Sequence, residues 1–349
     1  MRSTMRFGMG AALLGCLALH PGSVRADEPG ADHDAAWKAY KEGRLQEAEA
    51  GLRTLVNNDG GGENRALYLD HLAWVLAAEG KFTEAKGRAR AALQLRRQAK
   101  TDVADGLNTL AGILDAEGST AEAAPLYKQC LKVTEREEGP DSPNVAAALD
   151  NLAAVDHLLG EHEEAESLYK RALAIREKSA GAESLDLAAT LHNLGLLYFD
   201  RGKYDQAEPI LKRALAIQQK SRKPDHPEVA ASLEALGWLY AAEGKPEAES
   251  MLKQAMALYE ADLGKDHPHT ARCCAELSRV CLEQNKADEA EGFAKRAVAA
   301  LKRSGEPGML ATAVEDHAAV LRKLGRGAEA DVLDAYARGV RDGAKIPKD

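Results

Sequence analysis

Residues 145–178 read VAAALDNLAAVDHLLGEHEEAESLYKRALAIREK, and the chain repeats this stretch. Leu149-Asp150-Asn151-Leu152-Ala153 returns as Leu191-His192-Asn193-Leu194-Gly195, and again as Leu233-Glu234-Ala235-Leu236-Gly237. Lys170-Arg171-Ala172-Leu173-Ala174-Ile175 returns as Lys212-Arg213-Ala214-Leu215-Ala216-Ile217, 42 residues on. Self-similarity at such a period means stacked supersecondary units. Within residues 187–198 the apolar positions Leu187, Leu191, Leu194 and Tyr198 step by four, three and four, one face of an α-helix. Gly202 ends that helix, because glycine takes a left-handed C′ conformation at no Cβ cost. A second helix follows, with Ala207, Leu211, Ala214 and Leu215 on one stripe. The small residues Gly195, Ala207 and Ala214 let the two backbones come close. One hairpin cannot bury its own stripe; stacking on the next does.

This pattern resembles the tetratricopeptide repeat. The resemblance rests on a Leu-small pair, an aliphatic or aromatic residue three on, a turn glycine, an alanine five past it, then Tyr/Leu and Ala at four and seven further. The 42-residue spacing, the Leu-Asp/His-Asn-Leu start, the Ala-Glu-x-x-Leu/Tyr-Lys-Arg-Ala-Leu second helix and the Asp-His-Pro linker are similar to the kinesin-light-chain subtype. The resemblance implies an all-α, right-handed α-solenoid of about eight helix-turn-helix units, sixteen helices in all, over residues 33–337.

The alanine at the start of each second helix serves as a ruler: Ala48, Ala85, Ala123, Ala165, Ala207, Ala248, Ala290 and Ala330. The turn residues before them are Gly43, Gly80, Gly118, Gly160, Gly202, Gly244, Asn285 and Gly325, all types that tolerate positive φ. Linkers ending in Pro143, Pro227 and Pro268 place proline at a first helical position. Pro125 and Pro209 lie two residues past their ruler alanines, so those second helices are expected to start late or bend. In repeat eight His317 replaces the expected leucine and Asp334 the expected Tyr or Leu, which reads as a polar cap. Residues 338–349 are expected to be a polar, frayed tail.

The first 26 residues read as a targeting segment: Arg2 and Arg6, an apolar run over 7–19 too short to span a bilayer, and Val24-Arg25-Ala26 before a cleavage at Asp27. Export to the periplasm or outside is the expectation. Leu13-Leu14-Gly15-Cys16 also resembles a lipoprotein box, so a lipid anchor on Cys16 and a membrane-attached protein form the alternative. Removing residues 1–26 takes away three arginines and no acid, moving the net charge from −9 to −12. So acidic a chain repels nucleic acid and anionic lipid. No later apolar run approaches a membrane span.

Chemistry is sparse. No Gly-rich phosphate loop, Gly-x-Ser-x-Gly or His-Glu-x-x-His occurs, and paired acids such as Glu163-Glu164 fall on polar helix faces. No enzyme and no cofactor are expected. His267 and His269 beside Asp266, and His157 with His192, lack a third ligand, so no metal is expected either. Cys130 occupies a small-residue position and reads as a buried thiol. Cys274 and Cys281 stand about 10.5 Å apart along a helix, too far to bridge. Cys273 is expected to be exposed and the most reactive.

The resemblance further implies that first helices line a concave groove, with residues 15, 11 and 8 positions before the ruler alanine facing it, shifted by one in repeat six. At 11 before stand Trp37, Trp74, Gly112, Ala154, Leu196, Trp238, Arg279 and Ala319; all three tryptophans lie on this line. At 8 before stand Tyr40, His157 and Phe199. At 15 before stand Asp70, Asn108, Asp150, His192, Glu234 and Glu315. One reading is an aromatic, acid-edged groove for a peptide or extended protein segment, preferably basic. The other is that the tryptophans pack between neighbouring first helices, which is the expectation for Trp37. The function implied is a non-enzymatic protein-interaction scaffold. An envelope lipoprotein assisting a membrane complex, or a metal-responsive or enzyme-accessory module, are the alternatives.

Overall fold

The computed structural model describes residues 30–62, 64–221, 226–304 and 307–343. The expected signal segment 1–26, Cys16, Asp27 and Pro224-Asp225 of one linker lie outside them. Sixteen α-helices and no strand occur among the described residues. They fall into two units, each described by itself.

The N-terminal unit holds α1 (Ala31–Lys41), α2 (Leu45–Asn58), α3 (Arg65–Ala78), α4 (Phe82–Ala99), α5 (Val103–Ala116), α6 (Thr120–Glu138), α7 (Pro143–Leu159) and α8 (His162–Ser179). The C-terminal unit holds α9 (Leu185–Asp200), α10 (Tyr204–Ser221), α11 (Pro227–Ala242), α12 (Glu247–Asp262), α13 (Pro268–Glu283), α14 (Ala287–Ser304), α15 (Pro307–Lys323) and α16 (Gly327–Arg341). Within each unit every odd helix packs on the even helix that follows, and that even helix packs on the next odd one. This is an all-α solenoid of helical hairpins.

The ruler holds at every position. All eight ruler alanines are buried. All eight turn residues have positive φ, from 59° at Asn285 to 91° at Gly118. The close approach expected at Gly195 is present: a Cβ there would lie 2.5 Å from Leu211. Pro143, Pro227 and Pro268 open α7, α11 and α13. The residues before them cap these helices, and not all in the usual way. Ser142 Oγ accepts from the Val145 N–H at 3.2 Å. His226 and His267 instead accept through Nδ1, from the N–H groups of Glu228 and His269 at 3.3 and 3.2 Å.

Three expectations are corrected. Helices α6 and α10 do not start late: they begin at Thr120 and Tyr204 and run through Pro125 and Pro209. A proline at the sixth helical residue removes a single i→i−4 bond, and packing of the stripe on both neighbours outweighs it. Cys273 is not exposed: it is wholly buried, its Sγ 3.6 Å from Glu234 Oε1, and burial raises its thiol well above the ordinary range, the opposite of a reactive cysteine. Arg338–Arg341 are not tail but the last turn of α16; residues 344–349 lie outside the described ones. In α16 Asp331 and Asp334 both bind Arg322, yet Val332 is 68% exposed, so the cap is not wholly polar.

On the second helices an ion-pair ladder joins successive repeats. A base just after the turn reaches an acid just after the previous ruler alanine: Lys81–Glu49, Lys245–Glu208 and Lys286–Glu249 at 2.8 Å, and Arg326–Glu291 at 2.7 Å.

Candidate partner-binding faces

In the N-terminal unit the odd helices carry Trp37, Trp74, Asp70, Asn108, Asp150 and His157. Trp37 is sandwiched between His71 (ring centroids 3.8 Å) and Tyr40 (4.8 Å). Trp74 is half-buried, its ring edge lying over Gly112, where an added Cβ would come within 2.5 Å of the indole. Gly112 is the neighbour of Trp74 on the same line, and its missing side chain is what seats the ring. Asn108 Oδ1 accepts from Asn151 Nδ2 at 2.8 Å, bridging α5 and α7. His157 is buried and meets His162 edge-on at 5.7 Å.

Asp70, Asp150 and Glu234 do not edge an open groove, whereas Glu315 is partly exposed and paired with Arg341. Asp70 and Asp150 are buried, and each stands 2.7 Å from an arginine of its own repeat, Arg96 and Arg176. Burial, opposed by Arg96, pushes the Asp70 carboxyl up to about 7. In the C-terminal unit Glu234 is buried at 1% exposure and bound by Arg272, with the Tyr259 hydroxyl donating to Oε2 at 3.2 Å. The acid-edged groove, and with it the reason to expect a basic partner, is thereby corrected. A carboxylate this deep in a helical stack persists only when paired, so the chain supplies the cation itself.

A signal for this pairing was present in the sequence. The partner lies 11 residues past the ruler alanine, 26 past the acid, in both Asp70–Arg96 and Asp150–Arg176. The same slot holds buried Thr134 opposite Asn108, buried Gln218 opposite His192 and Tyr259 opposite Glu234. Polarity at one position is matched by polarity at the other throughout.

In the C-terminal unit Leu196 is buried and Phe199 half-buried beside Tyr204, ring centroids 5.7 Å apart. His192 Nδ1 lies 3.3 Å from Ser232 Oγ; burial lowers this imidazole to about 4. Trp238 is half-buried with the Arg272 guanidinium 5.0 Å over its ring, and its buried Nε1 meets no acceptor among the described residues. Further along the unit, Arg279 on the tryptophan line is taken up by Glu276 and Asp316 at 2.8 and 3.2 Å. His157 and His192 lie in different units. His267 and His269 stack on each other at 5.2 Å and are engaged in capping and in binding Arg272.

Ligand-type atoms of Glu249, Cys281 and Glu289 do converge, within 4.8 Å of one another. Both Glu249 oxygens already hold ammonium groups, Lys253 at 2.6 Å and Lys286 at 2.8 Å, and burial raises the Cys281 thiol. Two lysines at its rim make this a poor cation site. Among the described residues no helix is long and apolar enough to cross a membrane.

Hairpins stacked within each unit, with tryptophans on one line of the odd helices, define an α-helical-repeat scaffold for protein interaction. The tetratricopeptide-repeat family model matches residues 102–178, 186–261 and 244–303, more than half of the chain. The chain belongs to the tetratricopeptide-repeat family, and its repeats are of the kinesin-light-chain-like type. BtubC (BKLC) from P. vanneervenii is similar at 27% identity, with 69% of this chain and 95% of that one covered and a TM-score of 0.52. Two others share the fold. The quorum sensor NprR from B. thuringiensis, in its apo form, has 15% identity, 89% and 86% coverage and a TM-score of 0.66. A Rap protein complexed with competence and sporulation factor has 14% identity, 90% and 97% coverage and a TM-score of 0.59. Among curated proteins none matches significantly.

Proposed function

We propose that the protein is a non-enzymatic scaffold whose odd helices bind an extended peptide segment of a partner protein, anchored at Trp238 in the C-terminal unit; Trp74 is the corresponding anchor of the N-terminal unit taken by itself. The observation that carries this is the indole of Trp238. It is partly exposed, with the Arg272 guanidinium 5.0 Å over its ring, while its Nε1 is buried. A rigid, partly exposed ring of this size suits an apolar side chain of an extended segment. Leu196, Phe199 and His192 on α9 would flank Trp238, and Asn108 on α5 and His157 on α7 would flank Trp74. The neutralised acids leave the partner's charge unspecified.

The test is to select peptides on the intact protein and titrate them into variants, correcting for folded fraction. Trp238→Ala should weaken binding by about 2 kcal/mol or more. Trp238→Phe, which keeps an aromatic ring of smaller area, should lose part of it. A large drop in melting temperature with unchanged affinity per folded molecule would assign Trp238 to packing alone.

The expected destination is the periplasm or the cell exterior, supported by the n-region, apolar run and Ala26 junction of residues 1–26. The Leu13-Leu14-Gly15-Cys16 box supports a second reading, an anchored lipoprotein. Intact mass of the native protein separates them: a plain Asp27 terminus against an acylated Cys16.

A further inference from the structure

The start of α13 is held by two histidines whose protonation states the geometry fixes. His267 Nδ1 faces the His269 backbone N–H at 3.2 Å, and a backbone N–H can only donate. His269 Nδ1 faces Arg272 Nη2 at 2.9 Å, and a guanidinium can only donate. Both Nδ1 atoms are therefore acceptors, and each ring carries its one proton on Nε2. The rings stack on each other at 5.2 Å, and His269 stacks on Tyr259 at 5.0 Å. The same Arg272 covers Trp238 and binds Glu234.

We propose that the first turn of α13 is an acid-sensitive latch: protonation of His267 and His269 removes both Nδ1 acceptors and loosens the turn, while Glu234 keeps its hold on Arg272. An imidazolium has two donors and no acceptor, so each of these bonds is lost on protonation. A charged His269 would also stand against Arg272, like charge on like. The surrounding groups are few. From α12 come Tyr259 and Asp262, from α11 Glu234, and from α9 His192, which lies near both Glu234 and Arg272. Asp266 of the linker is bound by Arg303 of α14. Glu234 favours the charged ring, yet both its oxygens are spent on Arg272. Burial and Arg272 prevail: His269 is lowered to about 4, and His267 is lowered too, with Asp262 resisting. Helices α7 and α9 are capped instead by Ser142 and Ser184, which accept from the N–H three residues on rather than two and whose hydroxyls do not titrate in this range. They are internal controls.

The latch is tested without any partner, so its failure leaves the groove proposal standing. Amide hydrogen exchange of the full-length protein, corrected for intrinsic rate, is compared at pH 7.5 and pH 5. A histidine at about 4 folded and 6.5 when the turn opens loses about thirtyfold in local protection at pH 5. That loss is expected in peptides spanning residues 266–274, with little change in the first turns of α7 and α9. In H267N/H269N the pH effect at α13 should vanish, since asparagine caps as well as serine and does not titrate. H267S, copying the caps of α7 and α9, should remove the His267 share. Unchanged protection at α13 in the wild type, an equal loss at α7 and α9, or an equal loss in the variants each overturns the latch. If the double variant does not fold, the wild-type contrast between α13 and the serine-capped helices decides alone.

Discussion

Arg272 grips Glu234 by both carboxylate oxygens, Nε to Oε1 at 2.7 Å and Nη2 to Oε2 at 2.6 Å. Neither group has water to fall back on. Arg272→Met strands a buried carboxylate and should cost about 3–5 kcal/mol, read as a shift of the urea midpoint. The apolar pair E234L/R272M should recover most of that loss, because the desolvation cost disappears with both charges. Lys245→Met, on the exposed ladder, should leave the midpoint nearly unchanged. A single Arg272 variant as stable as the wild type would mean the pair is solvated.

Acid should weaken the fold in the C-terminal unit first. His192 and His269 are lowered to about 4 and His71 to about 3, all by burial first. The unfolded chain takes up protons at these sites from pH 6.5 downward while the folded one does not, so their stabilisation is lost as pH falls from about 6.5 to 4. Asp70 and Glu276, raised to about 7 by burial first, act oppositely. The folded state keeps their protons longer, so their contribution improves as pH falls through 7 toward 4. In the N-terminal unit the lowered His33 and His71 are opposed by the raised Asp70, Asp105, Asp115 and Asp156. In the C-terminal unit His192, His267, His269 and His317 are lowered and the carboxyls of Glu276 and Asp316 raised, so unfolding takes up more protons there as pH falls. Hydrogen exchange from pH 7 to 4.5 should show the C-terminal unit losing protection earlier; equal loss in both units would contradict the assignment.

Glycines inside helices divide into two kinds. At Gly195 a Cβ would sit 2.5 Å from Leu211, so Gly195→Ala should overpack the hairpin and cost about 1–3 kcal/mol. At Gly292 in α14 nothing lies within 4 Å, so Gly292→Ala should stabilise by about 0.5–1 kcal/mol through helix propensity. Thermal melts of the two variants should move in opposite directions.

Leu194 is 2% exposed in α9. Leu194→Ala should cost about 2–5 kcal/mol. In a repeat array each hairpin touches chiefly its neighbours, so exchange should rise most in α9 to α11. An even rise across both units would argue against nearest-neighbour stability.

The hairpin count, the turn positions and the buried alanines were all legible in the sequence. They depend on local rules: positive φ selects glycine or asparagine, and close helix contact selects alanine. These hold whatever the neighbours do, so the eight-step ruler sufficed. What each polar residue on the inner line does was settled only by the tertiary structure. Asp70, Asp150 and Glu234 read as an acidic rim until Arg96, Arg176 and Arg272 were seen beside them. Cys273 read as exposed until its helix was seen packed among its neighbours. His267 read as part of a linker until its Nδ1 was found capping α13. Whether a charge is spent or free depends on which side chain arrives from another helix: the 26-residue register carries a trace of Arg96 and Arg176, but nothing local specifies the reach of Arg272 over 38 residues.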